Sequence, residues 1–134
     1  MKYFIDQGFK HKKVLITTRE EEAIGIASGF ALSKSNSLVF MQNAGFVNSL
    51  STITSLVQLY KIPLIFLIGW RGYLKTDTPE HLKIGKIQNK LFDALDLKTK
   101  ILTDKNWKKC CEWAIKKIEK NKSCAIIVRR LNNE

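Results

Sequence analysis

The chain has 134 residues, of which 45% are apolar, and this length allows one compact domain but not two ordinary ones. Its 23 Lys and Arg against 12 Asp and Glu give a formal charge of +11, which favours anionic partners. The basic residues are spread along the chain and not gathered into one stripe. Solvated lysine faces are therefore favoured over a nucleic-acid footprint, and nucleic-acid binding is the weakest of the functional alternatives.

The cysteine content and the hydropathy of the chain favour a cytoplasmic protein and argue against disulfide bonds and a structural zinc site. An odd number of cysteines without a C-x-x-C spacing, together with only two histidines, argues against a disulfide framework and a structural zinc site. The amino-terminal segment lacks the apolar core of a secretory signal. The longest apolar run, IPLIFLIGW, is about half of a membrane span. We therefore expect a cytoplasmic protein that has no metal site of its own.

Apolar runs of strand length alternate with segments of helical period along the chain. The predicted strands cover residues 13–17, 38–42, 63–68, about 99–102 and 124–130. The predicted helices cover about 19–34, about 46–60, a segment that begins at Pro79, and a segment that includes Trp107 to Lys120. Most of the strands are apolar throughout, as in a parallel sheet with both faces covered. This alternation predicts a three-layer α/β/α sandwich with a mostly parallel sheet.

Helical spacing also predicts which faces of the last two helices are buried. On the helix from Pro79, the buried stripe comprises Ile84, Ile87, Leu91 and Leu95. On the next helix, the buried face comprises Trp107, Cys110, Cys111, Ala114 and Ile118. Both adjacent cysteines are therefore expected to be small core residues.

Three consecutive glutamates begin the first predicted helix, in the sequence TREEEAIGIASGF. Thr18 and Glu21 have the spacing of a capping box, and any acid in the first turn is stabilised by the helix dipole. Glu20 is different, because the apolar residues of the next turns project within about 40° of it on the helix. A carboxylate on an apolar face must be paired, bound or protonated, since burying a bare charge is costly. Glu20 is thus the candidate functional acid, with a solvated or lysine-paired helix-end carboxylate as the alternative.

Two further segments follow predicted strands, where ligands of parallel sheets gather. The turn QNAGFVN contains Gly45, which permits a tight turn or close approach of a ligand, but it matches neither a dinucleotide nor a Walker pattern. Arg71, in IGWRG, can form a fork with a phosphonate, sulfonate or carboxylate, or pair with a neighbouring acid. His81, in TPEH, is either a proton-exchanging group near a site or a surface histidine.

The strings REEEAIGIASGF, LVFMQNAGFVNSL, IPLIFLIGWRG, DTPEHLKIGKI and AIIVRR, in this order, resemble the pyrimidine-binding (PYR) domain of thiamine-diphosphate-dependent decarboxylases. The resemblance is strongest to the phosphonopyruvate decarboxylases, followed by the alpha subunits of sulfopyruvate decarboxylases. It covers about residues 4–130. It implies that the whole chain, 1–134, is one PYR-type domain.

The resemblance also implies roles for particular residues. Glu20 matches the glutamate that hydrogen-bonds a ring nitrogen of the cofactor's aminopyrimidine and favours its imino tautomer, so it is expected to be catalytic and cofactor-binding. Asn43, Gly45 and Asn48 match the loop beside the aminopyrimidine. Arg71 and His81 match positions on the substrate side. The expected reaction is decarboxylation of 3-phosphonopyruvate, with sulfopyruvate as the alternative substrate.

Two parts of the family pattern have no match in this sequence. One is the first strand with its following loop, so we expect an amino-terminally shortened domain. The other is the diphosphate-binding (PP) domain with its G-D-G motif, which implies that a partner holds the diphosphate and Mg²⁺. The resemblance therefore predicts a homo- or hetero-oligomeric carboxy-lyase component that is incomplete alone. A non-catalytic scaffold that keeps the fold is the alternative from another functional class.

Overall fold

A computed structural model describes residues 2–11 and 13–129 of the chain. Helices in this range are α1 (Lys2–Lys10), α2 (Glu20–Leu32), α3 (Asn43–Asn48), α4 (Leu50–Thr52), α5 (Pro79–Ala94) and α6 (Trp107–Ile118), with a π-helical segment at Ile53–Gln58. Strands are β1 (Leu38–Gln42), β2 (Ile65–Trp70), β3 (Lys98–Ile101) and β4 (Cys124–Arg129).

The four strands form a parallel sheet in the order β1-β2-β4-β3. The carboxyl ends of all four strands consequently lie along one edge, which we call the carboxyl edge. On one face of the sheet, α2, α3 and α5 pack on a core that includes Ile24, Phe46 and Phe92. On the other face, α6 packs through Cys110 and Ala114. The architecture confirms the predicted α/β fold with a parallel sheet.

Residues 13–17 were predicted to be a strand, and this prediction is wrong. The segment is described but pairs with no strand, and Leu15 and Ile16 are 62% and 74% exposed. Apolar and β-branched residues favour strands only where a neighbouring strand accepts their backbone hydrogen bonds. No such neighbour lies beside this segment within the described residues. Helix α1, immediately before it, was not predicted.

The other elements agree with the predictions to within a few residues. Strand β1 has the predicted bounds, whereas β2 begins and ends two residues later than predicted. The helix expected at about 46–60 begins at Asn43 and is interrupted at Ser49 before its π-helical part. The last residue of the predicted strand 124–130, Arg130, lies outside the described residues.

The buried face of α5 is displaced by one residue from the prediction, and that of α6 is narrower than predicted. On α5, the fully buried positions are Gly85, Gln88 and Phe92, and the predicted isoleucine and leucine stripe is half-buried beside them. On α6, Cys110 is buried as predicted, but Cys111 is exposed and Trp107 is 52% exposed. The prediction for Cys111 was wrong because adjacent helical residues lie about 100° apart and α6 buries only the i, i+4, i+8 line through Cys110.

Buried thiols remain protonated in this fold. Burial raises the pKa of the Cys124 thiol to about 11 and raises that of Cys110 as well. Both side chains therefore act as small apolar core residues. Among the helices of the described range, none combines the length and apolar character that a membrane span requires.

Candidate functional site

The first turn of α2 holds Glu20 at the carboxyl edge of the sheet. The helix begins after Arg19, whose backbone is extended and whose side chain makes no capping hydrogen bond. The predicted capping box paired Thr18 with Glu21, and this prediction is wrong. The Thr18 N–H instead donates a hydrogen bond to the carboxylate of Glu22 at 3.0 Å. Glu22 is exposed, whereas Glu20 projects along the line of Ile24 and Ala27, which are buried.

The side chain of Glu20 packs against Gly45 in α3. A Cβ added to Gly45 would lie 2.5 Å from Cγ and 2.6 Å from Cδ of Glu20, so only glycine leaves room for this carboxyl group. Glu20 is half-buried, and within the described residues its carboxylate has no hydrogen-bond or ion-pair partner. The structure thus brings two of the predicted site residues, Glu20 and Gly45, into contact.

Asn43 connects the ends of β1 and β2. It is 1% exposed, its Nδ2 donates to the Arg71 carbonyl at 2.9 Å, and its Oδ1 accepts from the Arg71 N–H at 3.3 Å. Because both polar ends of the amide are used by backbone, Asn43 fixes the turn that presents Gly45. Asn48 lies at the last position of α3, where it is exposed.

Arg71 forms the ion pair that the sequence left as an alternative. Its Nη2 and Nε donate to the two carboxylate oxygens of Asp77 at 2.7 and 3.1 Å. Asp77 also accepts from the backbone N–H groups of Gly72 and Thr78. These contacts lower the pKa of Asp77 well below its usual range, chiefly through the bond from Arg71, and raise that of Arg71.

His81 lies on the first turn of α5. Its Nδ1 is 2.5 Å from the hydroxyl oxygen of Thr78, and Glu80 lies 3.9 Å away. The backbone carbonyl of His81 also packs on Gly72, whose φ of +72° and lack of a Cβ allow this close approach. His81 therefore shares one loop region with Arg71 and Asp77.

Two residues at the carboxyl edge had not been identified from the sequence. Asp77 was passed over because its spacing from Arg71 matches no known motif, and only the folded loop brings the two together. Arg129 was treated simply as part of a strand, although the rule that ligands gather at the carboxyl ends of parallel strands would have identified it. It pairs in register with Trp70 of β2.

A second concave region lies at the opposite edge of the sheet, with a cavity of about 290 Å³. Lysines at its mouth lie beside the carboxyl ends of the π-helical segment, α5 and α6. Lys98 pairs there with Asp96 at 2.7 Å. Cations at helix carboxyl ends are stabilised by the helix dipole, which gives these lysines a structural role.

Comparison with known proteins identifies relatives of the chain. It is 39% identical over 82 residues, or 61% of its length, to the sulfopyruvate decarboxylase alpha subunit of Methanocaldococcus jannaschii. It is 37% identical over 92 residues, or 69% of its length, to the corresponding subunit of Methanococcus maripaludis. It is 31% identical over 93 residues, again 69% of its length, to the phosphonopyruvate decarboxylase of Streptomyces viridochromogenes.

The matched region spans 48% and 53% of the two alpha subunits and 23% of the phosphonopyruvate decarboxylase. No protein-family model matches the chain. The chain is homologous to the sulfopyruvate and phosphonopyruvate decarboxylases, which are carboxy-lyases, and its parallel α/β fold is consistent with a PYR-type domain of thiamine-diphosphate enzymes.

Proposed function

We propose that this chain is the PYR component of a thiamine-diphosphate-dependent decarboxylase that acts on a small 2-oxo acid with a second acidic group. The names of its relatives support the reaction class. The observation on which the proposal depends most is the contact between Glu20 and Gly45, which holds a carboxylate at the carboxyl edge of the sheet.

The residues at this edge fit an aminopyrimidine ring. Glu20 has a half-exposed carboxylate with no partner among the described residues, so it can form a hydrogen bond with a ring nitrogen. Gly45 leaves the room in which that carboxylate lies, because a Cβ at this position would collide with it. When bound, thiamine diphosphate supplies the electron sink for loss of carbon dioxide. Glu20 would hold and exchange a proton at a ring nitrogen, and acid–base help of this kind is typically worth about 10²–10⁴ in rate.

The remaining predicted residues have supporting roles in this proposal. Asn43 keeps Gly45 in place through its two bonds to the Arg71 backbone. Asn48, which the resemblance assigns to the cofactor loop, would contribute its exposed amide from the end of α3. Arg71 and His81 contribute to the substrate side from the loop that Asp77 fixes. Since the Arg71 guanidinium is already paired with Asp77, its main role is to orient this loop, and it offers little net charge to a substrate.

We propose that the second acidic group of the substrate is a sulfonate or a phosphonate. The higher identities, 37–39%, are to sulfopyruvate decarboxylase alpha subunits, and the identity to the phosphonopyruvate enzyme is 31%. The preference for phosphonate, which the family resemblance implies, stays a prediction. Assaying both 2-oxo acids with one enzyme preparation decides between them.

We also propose that 1–134 is one domain that works with a partner. Two relatives are named as alpha subunits, and the chain spans about half of their length. A partner of the PP type would hold the diphosphate and its Mg²⁺, so the cofactor would lie between two polypeptides or domains. Activity would occur in the cytoplasm in a homo- or hetero-oligomer.

The substitution Glu20→Gln tests the central residue. It keeps the shape of the side chain but removes the carboxylate that exchanges a proton with the ring. In the enzyme assembled with its PP-type partner, we expect kcat for decarboxylation to fall by at least about 100-fold. Glu21→Gln is the matched control and is expected to stay within about threefold of the parent. A Glu20→Gln enzyme that is also within threefold would contradict the assignment.

Calorimetry separates the enzyme from the scaffold alternative. The assembled complex is titrated with thiamine diphosphate in the presence of Mg²⁺. Saturable uptake by the parent supports the enzyme component. A folded complex that takes up no cofactor would instead favour a module that has kept the fold and lost catalysis.

A further inference from the structure

The end of β4 places a second guanidinium at the carboxyl edge. Arg129 pairs in register with Trp70, the last residue of β2. Ala125 and Ile127 precede it at alternating positions and belong to the core beneath α2, α3 and α5. Because strand side chains alternate between faces, Arg129 lies on the same face of the sheet as Glu20 and Gly45. It is two strand spacings from β1, a distance of about 10 Å.

Two aromatic rings support the guanidinium of Arg129. Its Cζ lies 4.6 Å from the ring centroid of Tyr73 and 5.4 Å from that of Trp70. The two rings are themselves 5.1 Å apart, and the indole N–H of Trp70 donates to the Gly85 carbonyl at 3.0 Å. Stacking of this kind favours the cation and restricts its rotamers, so less entropy is lost when the guanidinium binds a ligand.

The hydrogen-bonding capacity of Arg129 is largely unused. A guanidinium has five N–H donors, and within the described residues one of them has an acceptor, the Tyr73 hydroxyl at 3.3 Å from Nη1. The Nε atom is buried and has no acceptor there. A buried donor without an acceptor costs free energy, which an arriving acceptor would recover.

The guanidinium of Arg71, unlike that of Arg129, is already paired with a carboxylate. It is bound to both oxygens of Asp77, so the pair is close to neutral as a unit. Arg129 has no carboxylate within ion-pair distance among the described residues. Of the two arginines at the ends of β2 and β4, Arg129 is therefore the one whose positive charge is not neutralised by a described carboxylate and can attract an anionic ligand.

We infer that Arg129, supported by Trp70 and Tyr73, binds the tetrahedral oxyanion of the ligand, a sulfonate or a phosphonate. Guanidinium groups recognise such anions through two parallel N–H donors. Nη2 and the unpaired Nε, which have no acceptor among the described residues, supply this pair of donors. That the oxyanion belongs to the substrate rests on the proposed function, whereas its binding at Arg129 does not.

The test uses the full chain with two simple probes, methylphosphonate and methanesulfonate. Titration followed by the ¹⁵N signal of the Arg129 Nε–H is expected to shift that signal and to saturate. In Arg129→Gln, which lacks that signal, affinity is followed by the backbone amide signals of Trp70 and Tyr73, and it should weaken by about tenfold or more, because charge-assisted hydrogen bonds are worth about 1.5–3 kcal/mol. The matched control Lys116→Gln removes one charge from exposed α6, on the other face of the sheet, and should change affinity by less than about twofold.

Equal weakening by Arg129→Gln and Lys116→Gln would overturn the inference, because net charge alone would then explain binding. Arg129→Lys decides the matter if Arg129→Gln fails to fold, as judged by circular dichroism. It keeps the charge but loses the fork and much of the stacking, so a loss of several-fold supports the inference and parental affinity overturns it. Binding of these probes needs neither cofactor nor partner, so its failure is distinguishable from a failure of the Glu20→Gln prediction. The probe that binds more tightly indicates the oxyanion.

Discussion

The contact between Glu20 and Gly45 joins the start of α2 to the first turn of α3. Its consequence is a carboxylate held in place without a hydrogen bond from any other described residue. The orientation depends on the shape of the surface beneath it, which a single added methyl group would change. A substitution at Gly45 can therefore displace the Glu20 carboxylate with little change in the free energy of unfolding.

Gly45→Ala tests this expectation. The added Cβ would collide with the flexible end of Glu20 and not with backbone, so the side chain can move aside. Alanine is also the better helix former, and we expect the free energy of unfolding to change by no more than about 1 kcal/mol. Decarboxylation by the assembled enzyme should fall by about 10²-fold, because a misplacement near 1 Å has that effect. Gly29→Ala in α2, where a Cβ meets open space, is the control and should leave the rate unchanged.

The ion pair of Asp77 and Arg71 predicts an acid sensitivity. Folding lowers the pKa of Asp77, so the pair contributes stability above the unfolded pKa of about 4 and loses it as the pH falls toward the folded pKa. The free energy of unfolding should therefore decrease between about pH 4 and pH 2. In Asp77→Asn, urea titrations should show a shallower decrease over the same range. Parallel curves for the parent and the variant would contradict this account.

At the scale of elements, α5 is positioned by backbone contact with the loop that follows β2. A Cβ on Gly85 would lie 2.5 Å from the Gly72 carbonyl carbon and 2.8 Å from the Arg71 oxygen. Backbone cannot move aside as a side chain can. The same region contains the bond from the Trp70 indole to the Gly85 carbonyl. Helix α5 is thus packed directly on the loop that contains Arg71, Asp77 and His81 at the carboxyl edge.

Two glycine substitutions in helices should have opposite effects. Gly85→Ala is expected to lower the free energy of unfolding by about 1–3 kcal/mol, because overpacking against backbone outweighs the gain in helix propensity. Gly25→Ala in α2 meets no atom within 4 Å and should raise it by about 0.5–1 kcal/mol. Urea unfolding monitored by circular dichroism measures both. A stabilised Gly85→Ala protein would show that α5 is not held at this contact.

At the scale of the whole molecule, the formal charge of +11 is a source of self-repulsion. Raising NaCl from 10 to 150 mM shortens the Debye length from about 30 to about 8 Å, so we expect Tm to rise. A variant with Lys108, Lys116 and Lys120 of the α6 region changed to Gln should show a smaller rise, since part of the repulsion is already removed. A Tm that falls with salt would show that ion pairs outweigh the repulsion.

The sheet also has an open edge. Within the described residues, β1 pairs with β2 alone, and the apolar segment 13–17 pairs with no strand. The lack of a paired strand explains why the apolar, β-branched pattern of 13–17 predicted a strand that the structure does not contain. A strand is stabilised by its neighbours across the sheet, and that information is not local to the five residues.

Much of the fold and the partial burial of Glu20 were nevertheless predictable. Bounds of β1 and the starts of α2 and α5 follow from periodicity, Pro79 and helix-start residues. The choice of Glu20 over Glu22 follows from helical projection, and the structure places Glu20 half-buried and Glu22 exposed. Burial of Cys110 was also predicted correctly, whereas that of Cys111 was not, because local spacing does not reveal how wide a stripe a sheet will cover.

Period and strand hydrophobicity act over a few residues, and these local effects were sufficient to predict a parallel α/β chain with a half-buried carboxylate, Glu20, in the first turn of α2. Pairs distant in sequence were settled only by the packed chain: Glu20 against Gly45, Arg71 with Asp77, and Arg129 over Tyr73. The physical reason is that such pairs depend on strand order and loop path. Those in turn depend on the competition of all segments for one core.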